Sequence, residues 1–187
     1  MLTLYKSLVI SILDYCSPLW HPSGSAYLSN KIEGVQRSFT RRLSGMPGLN
    51  YWERLKFLRL YSLQRRRERY LILYVFKILH NLVPNCGLSF TTNARTGIHV
   101  EVPLTSRSYP ASLRKAKEAS FNIIAPKLFN LLPSTMRVIY PNRGALDCFK
   151  RHLDHLLQNV PDQPTINGLQ RLTKSNSLLY QMNSNFV

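Results

Sequence analysis

The chain has 187 residues, 44% of them hydrophobic, which suffices for one domain with a real core, or one domain and a tail. Twenty-five Lys and Arg stand against nine Asp and Glu, a net charge of +16, so polyanions are the expected partners, nucleic acid before anionic membrane. Three widely spaced cysteines, Cys16, Cys86 and Cys148, with no CxxC and no Asn-x-Ser/Thr sequon, argue against a disulfide scaffold and for a reducing, intracellular compartment, with nucleus and cytoplasm both open.

The first run, MLTLYKSLVISILDYC, is apolar but short; Lys6 interrupts it and Asp14 ends it. It reads neither as a signal peptide nor as a membrane span, and no membrane is expected as a partner. Leu2, Tyr5, Leu8, Val9 and Ile12 lie nearly all round a helix reaching about Leu13, which predicts burial on most sides. Ser17-Pro18 and His21-Pro22-Ser23-Gly24 predict a loop, with Trp20 as a core plug. A second helix is predicted over about 25–43. Leu28, Ile32, Val35, Phe39 and Leu43 form its apolar stripe, and Arg37 and Arg41 point away from it. Gly45-Met46-Pro47-Gly48 ends it.

Asn50 with Glu53 reads as a capping box before a short helix carrying Trp52, Leu55, Phe57, Leu58 and Leu60. The next helix spans about 62–82. Its first half, QRRRER, is cationic; its second, YLILYVFKIL, is apolar on every face and reads as the centre of a bundle. Val83-Pro84-Asn85 closes it. Helical period then disappears over 85–118, an irregular basic arm with one short strand at 98–102, where Ile98, Val100 and Val102 alternate with polar residues. Helix returns over about 120–132, bent or restarted at Pro126. A last amphipathic helix covers about 144–159, with Leu146, Phe149, Leu153, Leu156 and Leu157 on one face. The expected fold is mainly α: a helical bundle over 1–84, the arm over 85–118, a C-terminal helical segment over 119–160 and a disordered tail over 161–187.

Between Lys31 and Arg69 there are eleven Lys or Arg and only three Glu, which is half the net charge. A solvated helix face is the ordinary reading of such a run. Arginine dominates it, however, and arginine forks two hydrogen bonds onto a phosphate. Phe39, Tyr51, Trp52, Tyr61 and Tyr70 interleave, as stacking platforms for unpaired bases or as core. The candidate nucleic-acid-binding residues are Arg37, Arg41, Arg42, Arg65, Arg66, Arg67 and Arg69, expected as one cationic strip across two helices.

Catalytic candidates are absent. Asp14, Asp147, Asp154 and Asp162 are the only aspartates; none are adjacent, and there is no Gly-rich phosphate loop and no GxSxG. Paired carboxylates, which hold the two metals of nucleotidyl transfer, cannot be assembled locally. Cys148, His152 and His155 fall at i, i+4 and i+7 on one helix face, but lack a fourth ligand and paired-cysteine spacing, so a solvated polar face is preferred to zinc. His21, His80 and His99 are isolated. No cofactor is expected.

In order along residues 4–157, the chain resembles the region after the catalytic palm in non-LTR (LINE-type) retrotransposon reverse transcriptases of the jockey class. The matching positions are Leu13-Asp14-Tyr15, Ser17-Pro18-Leu19-Trp20, Ile32-Glu33-Gly34-Val35-Gln36-Arg37, Phe39-Thr40-Arg41, Tyr51, Arg54-Leu55, Leu58, Leu60, Leu63, Arg66-Arg67 and Phe76-Lys77-Ile78-Leu79. Arg95-Thr96-Gly97, the Phe121–Pro133 segment FNIIAPKLFNLLP and Phe149-Lys150-Arg151-His152-Leu153-Asp154 continue it. Phe129 stands where the family has Trp, and Lys127 falls near its usual Arg. The family's aromatic-Ala-Asp-Asp turn lies upstream of anything in this sequence, so no catalytic residue carries over. The resemblance implies a thumb-like bundle and its C-terminal extension, whose partner in the parent is the template–primer or the element's RNA. It leaves three readings open: a binding module for RNA or DNA backbone without polymerase activity, a helical protein-interaction module whose apolar surface once faced the palm, or a relic without selected function.

Overall fold

Ser62 starts the helix on which the molecule is built. The structure, a computed structural model, describes residues 1–20, 25–93, 95–139, 144–163 and 169–184. Numbering the α-helices in chain order, α6 (Leu63–Leu79) begins where the Ser62 side chain accepts the Arg65 N–H. Leu71, Ile72, Leu73, Val75, Phe76 and Ile78 are buried on all its sides, as the unbroken apolar run predicts. Against it pack α8 (Phe121–Asn130) and α9 (Ala145–Gln158), which bring Leu128, Phe129, Phe149, Leu153 and Leu157 into the main core. Phe76 stacks on Phe149 with ring centroids 4.0 Å apart. The fold is mainly α.

The expected strand is present, and it has a partner that the sequence reading did not supply. β1 (Phe90–Asn93) pairs antiparallel with β2 (Gly97–Val100), Phe90 opposite Val100. Ile98 and Val100 are buried and His99 is exposed, following the alternation. The other edge of β2 is closed by Asn130 and Arg137, whose carbonyl accepts the Ile98 N–H at 2.7 Å. The Asn130 amide accepts from Val100 N at 2.9 Å and donates to Val100 O at 2.8 Å, while Arg137 donates to the carbonyls of Ile98 and Leu132. Gly97 is required there: its φ is +74°, and a Cβ would come within 2.7 Å of the Arg137 carbonyl oxygen. Residues 85–118 are therefore not an irregular arm throughout, since they hold this hairpin and α7 (Ala111–Glu118). Pro126 is accommodated inside α8.

The N-terminal layer departs most from expectation. α1 (Leu2–Leu4), a π-wound stretch (Tyr5–Ile10) and α2 (Ser11–Asp14) follow one another without a break. Only Tyr5 and Ile10 are buried; Leu4, Leu8 and Ile12 are 59%, 60% and 74% exposed, so the first helix is covered on one side, not on most. Ser17–Trp20 forms a helical turn, α3, and not a loop; Trp20 is partly exposed, with its Nε1 donating to the Tyr15 carbonyl. The predicted loop at 21–24 lies outside the described residues.

α4 (Ala26–Arg41) has its expected length and its Ser25 cap, but it is turned over. Its buried residues are Ser29, Glu33, Gln36 and Thr40, whereas Leu28 and Val35 of the apolar stripe are exposed. The reason is hydrogen bonding. Glu33 accepts from the N–H groups of Leu63 and Gln64 at the start of α6 and from the Tyr51 hydroxyl. Gln36 accepts from the Tyr5 hydroxyl and donates to the Tyr51 hydroxyl and the Tyr61 carbonyl. Thr40 accepts from Arg54. α5 (Tyr51–Leu58), which supplies Tyr51 and Arg54, is held by the predicted Asn50–Glu53 capping box and ends with Arg59 in the left-handed region.

The last segment is packed rather than disordered. Leu172, Leu178 and Met182 are buried, a short 3₁₀ turn (Lys174–Asn176) precedes α10 (Leu178–Ser184), and the Leu178 N–H donates to buried Glu68. Residues 164–168 and 185–187 of the expected tail lie outside the described residues.

Burial pushes the Glu33 carboxyl up to about 7, the bonds from Tyr51 and Leu63 and the charge of Arg67 opposing and that of Asp162 assisting; Glu68 and Asp162 are also raised by burial. A carboxyl raised in the folded state holds its proton more tightly there than in the unfolded chain, so stability falls as pH climbs from the ordinary carboxylate range through about 7. Thermal melts should show a lower midpoint on the alkaline side of that window than on the acid side. Glu33→Gln should flatten the dependence; an unchanged slope would mean that Glu33 is ionised throughout.

Candidate nucleic-acid interface

α6 turns by roughly 100° per residue, so its four arginines leave the helix in different directions and meet different surroundings. Arg65 is fully buried: it donates to the carbonyls of Val160 and Pro161 and to Gln181 Oε1, with Asp162 at 3.9 Å. Arg67 is 1% exposed, finds no hydrogen-bond acceptor among the described residues, and lies over the Trp20 ring at 5.7 Å. Burial lowers its pKa, and the charges of Glu33, Glu68 and Asp14 oppose that. Neither residue can meet a phosphate, which corrects the predicted strip. The run QRRRER is half core, because the helix start is enclosed by α3, α4 and the C-terminal segment.

Arg66 and Arg69 remain accessible. Arg66 pairs with Asp14, Nη2 to Oδ2 at 2.5 Å and Nε to Oδ2 at 3.2 Å; Arg69 pairs with Asp154, Nε to Oδ1 at 2.5 Å and Nη2 to Oδ2 at 2.8 Å. Burial lowers the Arg66 pKa, but the bond and charge of Asp14 together outweigh it and the net shift is upward. On α4, Arg37 is drawn in, donating to the Gln170 carbonyl at 2.7 Å and lying over the Tyr51 ring; Arg41 and Arg42 are exposed. The seven predicted residues thus divide into two buried (Arg65, Arg67), one tied down (Arg37), two paired but open (Arg66, Arg69) and two free in solvent (Arg41, Arg42), and they form no single strip.

What the structure assembles instead is a cleft of about 1120 Å³. One wall is the first helix with Lys6 and Ile10, another is α5 with Trp52, Leu55 and Lys56, and a third is the Arg66–Arg69–Tyr70 face of α6. The chain leaving α9, from Leu157 to Gln163, closes it. Lys6, Lys56 and Arg59 are exposed at its margin and make no ion pair with a described residue. Five cations face two carboxylates, Asp154 and Asp162, over a floor that includes Tyr61 and Leu60. The cleft attracts anions and offers apolar and phenolic surface beside them. Lys6, Lys56 and Arg59 were missed in the sequence, because only the placement of the first helix beside α5 brings them to one cleft.

Metal chemistry is not assembled by the described residues. Cys148 Sγ stands 3.9 Å from His152 Nδ1, and no group of three or more His, Cys, Asp or Glu gathers among the described residues. All three cysteines are free, and no helix among the described residues is long and apolar enough to cross a membrane.

If Arg65 is structural, Arg65→Gln should cost about 3 kcal/mol in urea unfolding, as expected for a broken buried charge network. Arg41→Gln and Arg42→Gln should stay within about 0.5 kcal/mol of wild type. Equal losses at all three would return Arg65 to the surface. The chain matches no protein-family model, no curated protein and no solved structure.

Proposed function

We propose that this chain is a thumb-like fragment of a non-LTR retrotransposon reverse transcriptase, acting as a non-sequence-specific nucleic-acid-binding module without polymerase activity of its own. The observation that carries the binding reading is the cleft, where three cations without an ion pair among the described residues, Lys6, Lys56 and Arg59, rim two carboxylate-held arginines. Such a surface meets phosphate and carries no base-reading pattern. The aspartates are engaged in ways that speak against polymerase activity. Asp14, Asp147, Asp154 and Asp162 lie within ion-pair distance of Arg66, Lys150, Arg69 and Arg65 respectively, which sets them against a shared metal. Free cysteines agree with a reducing compartment.

One observation favours a protein-interaction module as the second reading. Leu4, Leu8 and Ile12 recur at four-residue spacing, all more than half exposed, and Tyr15 and Leu19 extend the exposed apolar surface.

Fluorescence anisotropy with labelled RNA and DNA at two salt concentrations tests the first reading. Affinity should fall steeply with salt and be indifferent to sequence. Lys56→Gln and Arg59→Gln should each reduce the log–log salt slope by about 0.7 to 0.9. No salt-dependent binding, together with a size in solution that grows with protein concentration and is reversed by Leu8→Glu, would replace this reading with the second.

A further inference from the structure

Two arginines on one face of α6 are each held by one aspartate, Asp14 outside the cleft lining and Asp154 within it. Arg66 spends Nε and Nη2 on Asp14, and Arg69 spends Nε and Nη2 on Asp154. In both, Nη1 has no described acceptor, and neither Nη1 is among the buried atoms left without one, so both reach solvent. The residues are three apart on a helix, which sets their Cβ atoms about 5–6 Å from each other. Both line the cleft and are recessed in it, the side chains 25% and 18% exposed, while Lys6, Lys56 and Arg59 are exposed at its margin. Tyr70 hydroxyl adds a bond to Asp14 at 3.3 Å and stiffens the first pair.

We infer that Arg66 and Arg69 form a phosphate clamp for a single-stranded nucleic acid, and that Asp14 and Asp154 are positioning residues that hold the two guanidiniums with Nη1 forward. The inference rests on the nucleic-acid reading of the cleft and adds to it which residues take the phosphate and what form of strand enters. A flexible long side chain loses rotamer freedom on binding; here the aspartates have already removed that freedom, so the donors meet a phosphate pre-aligned. A guanidinium sunk below a rim is reached by a flexible strand. The phosphates of a rigid duplex are held at the rim, on Lys6, Lys56 and Arg59.

The consequence runs against simple electrostatics. Removing a carboxylate from a basic cleft should tighten binding to a polyanion. If Asp154 positions Arg69, Asp154→Asn should instead weaken binding of an oligouridylate by about threefold to tenfold, the scale of one misaligned charge-assisted hydrogen bond. The loss should vanish when Arg69 is already Gln, because Asp154 acts only through it. Asp14→Asn with Arg66→Gln is the parallel pair, should Asp154→Asn unfold the chain by circular dichroism. The probes are single-stranded oligouridylate ending in a hydroxyl, the same strand ending in a phosphate, and a duplex of equal length. Equal affinity for the two single strands and weaker binding of the duplex supports a backbone phosphate in the clamp; binding that needs the terminal phosphate, or favours the duplex, overturns it. Tighter binding by the folded Asp→Asn variants, or additive losses in the double mutants, removes the positioning role while leaving a nucleic-acid cleft in place. Absence of salt-dependent binding by the wild-type chain removes both.

Discussion

The backbone N–H groups at the start of a buried helix have to be met by acceptors, and at α6 those acceptors come from far along the chain. Glu33 takes the N–H of Leu63 and of Gln64; the Ser62 hydroxyl takes that of Arg65; Asp162 takes both the N–H and the hydroxyl of Ser62. Every donor of the first turn is thereby satisfied, and two carboxylates sit at the positive end of the helix dipole. Burying a carboxylate is costly, as the upward shifts of Glu33 and Asp162 express, and it is tolerated because each meets several donors. The arrangement ties α4 and the chain after α9 to one point at the beginning of the central helix.

The rest of the N-terminal half follows from that point. With Glu33 turned toward α6, Ser29, Gln36 and Thr40, which share its helix face, also turn inward; Gln36 meets Tyr5, Tyr51 and the Tyr61 carbonyl, and Thr40 meets Arg54. The aliphatic stripe is then carried outward at Leu28 and Val35, while Phe39 stacks on Tyr5 with ring centroids 3.9 Å apart. The same closure surrounds the first turns of α6, so that arginines one residue apart in sequence end in the core and in the cleft. The chain carrying Asp162 returns to Ser62 and so lines the cleft together with Tyr61 and Tyr70.

Features decided by neighbouring residues were legible in the sequence. The Asn50–Glu53 box, the apolar half of α6 and the Phe149–Leu153–Leu157 face of α9 depend on contacts or periods within one element, and the structure has them. Periodicity also marked α4 as amphipathic, but it could not say which side is inside, because that was settled by unsatisfied N–H groups thirty residues away. The arginines were misread for the same reason: a charge run looks solvated until its counter-groups are located, and those of Arg65 lie near Val160, Pro161 and Gln181. Composition hid the last segment, where Leu172, Leu178 and Met182 are spaced among Ser, Asn and Gln. The half of the site formed by Arg66 and Arg69 was legible as charge; the half formed by Lys6, Lys56 and Arg59 required the helices to be placed side by side.

The packing of the last segment also sets an order of events for a chain made from its N-terminus. Arg65 and Gln181 are 116 residues apart, Asn30 and Leu172 142, and Glu68 meets the Leu178 N–H across 110. While a ribosome is still adding residues beyond Leu169, α4, α5 and α6 are already outside, yet Arg65 has no Gln181 and Glu68 no helix end to cap. Until those residues follow, the charges buried at the start of α6 are poorly matched. The segment around residues 172–182 is thus the closing piece of the charge network at the start of α6, and cutting the chain before it should expose that network to water.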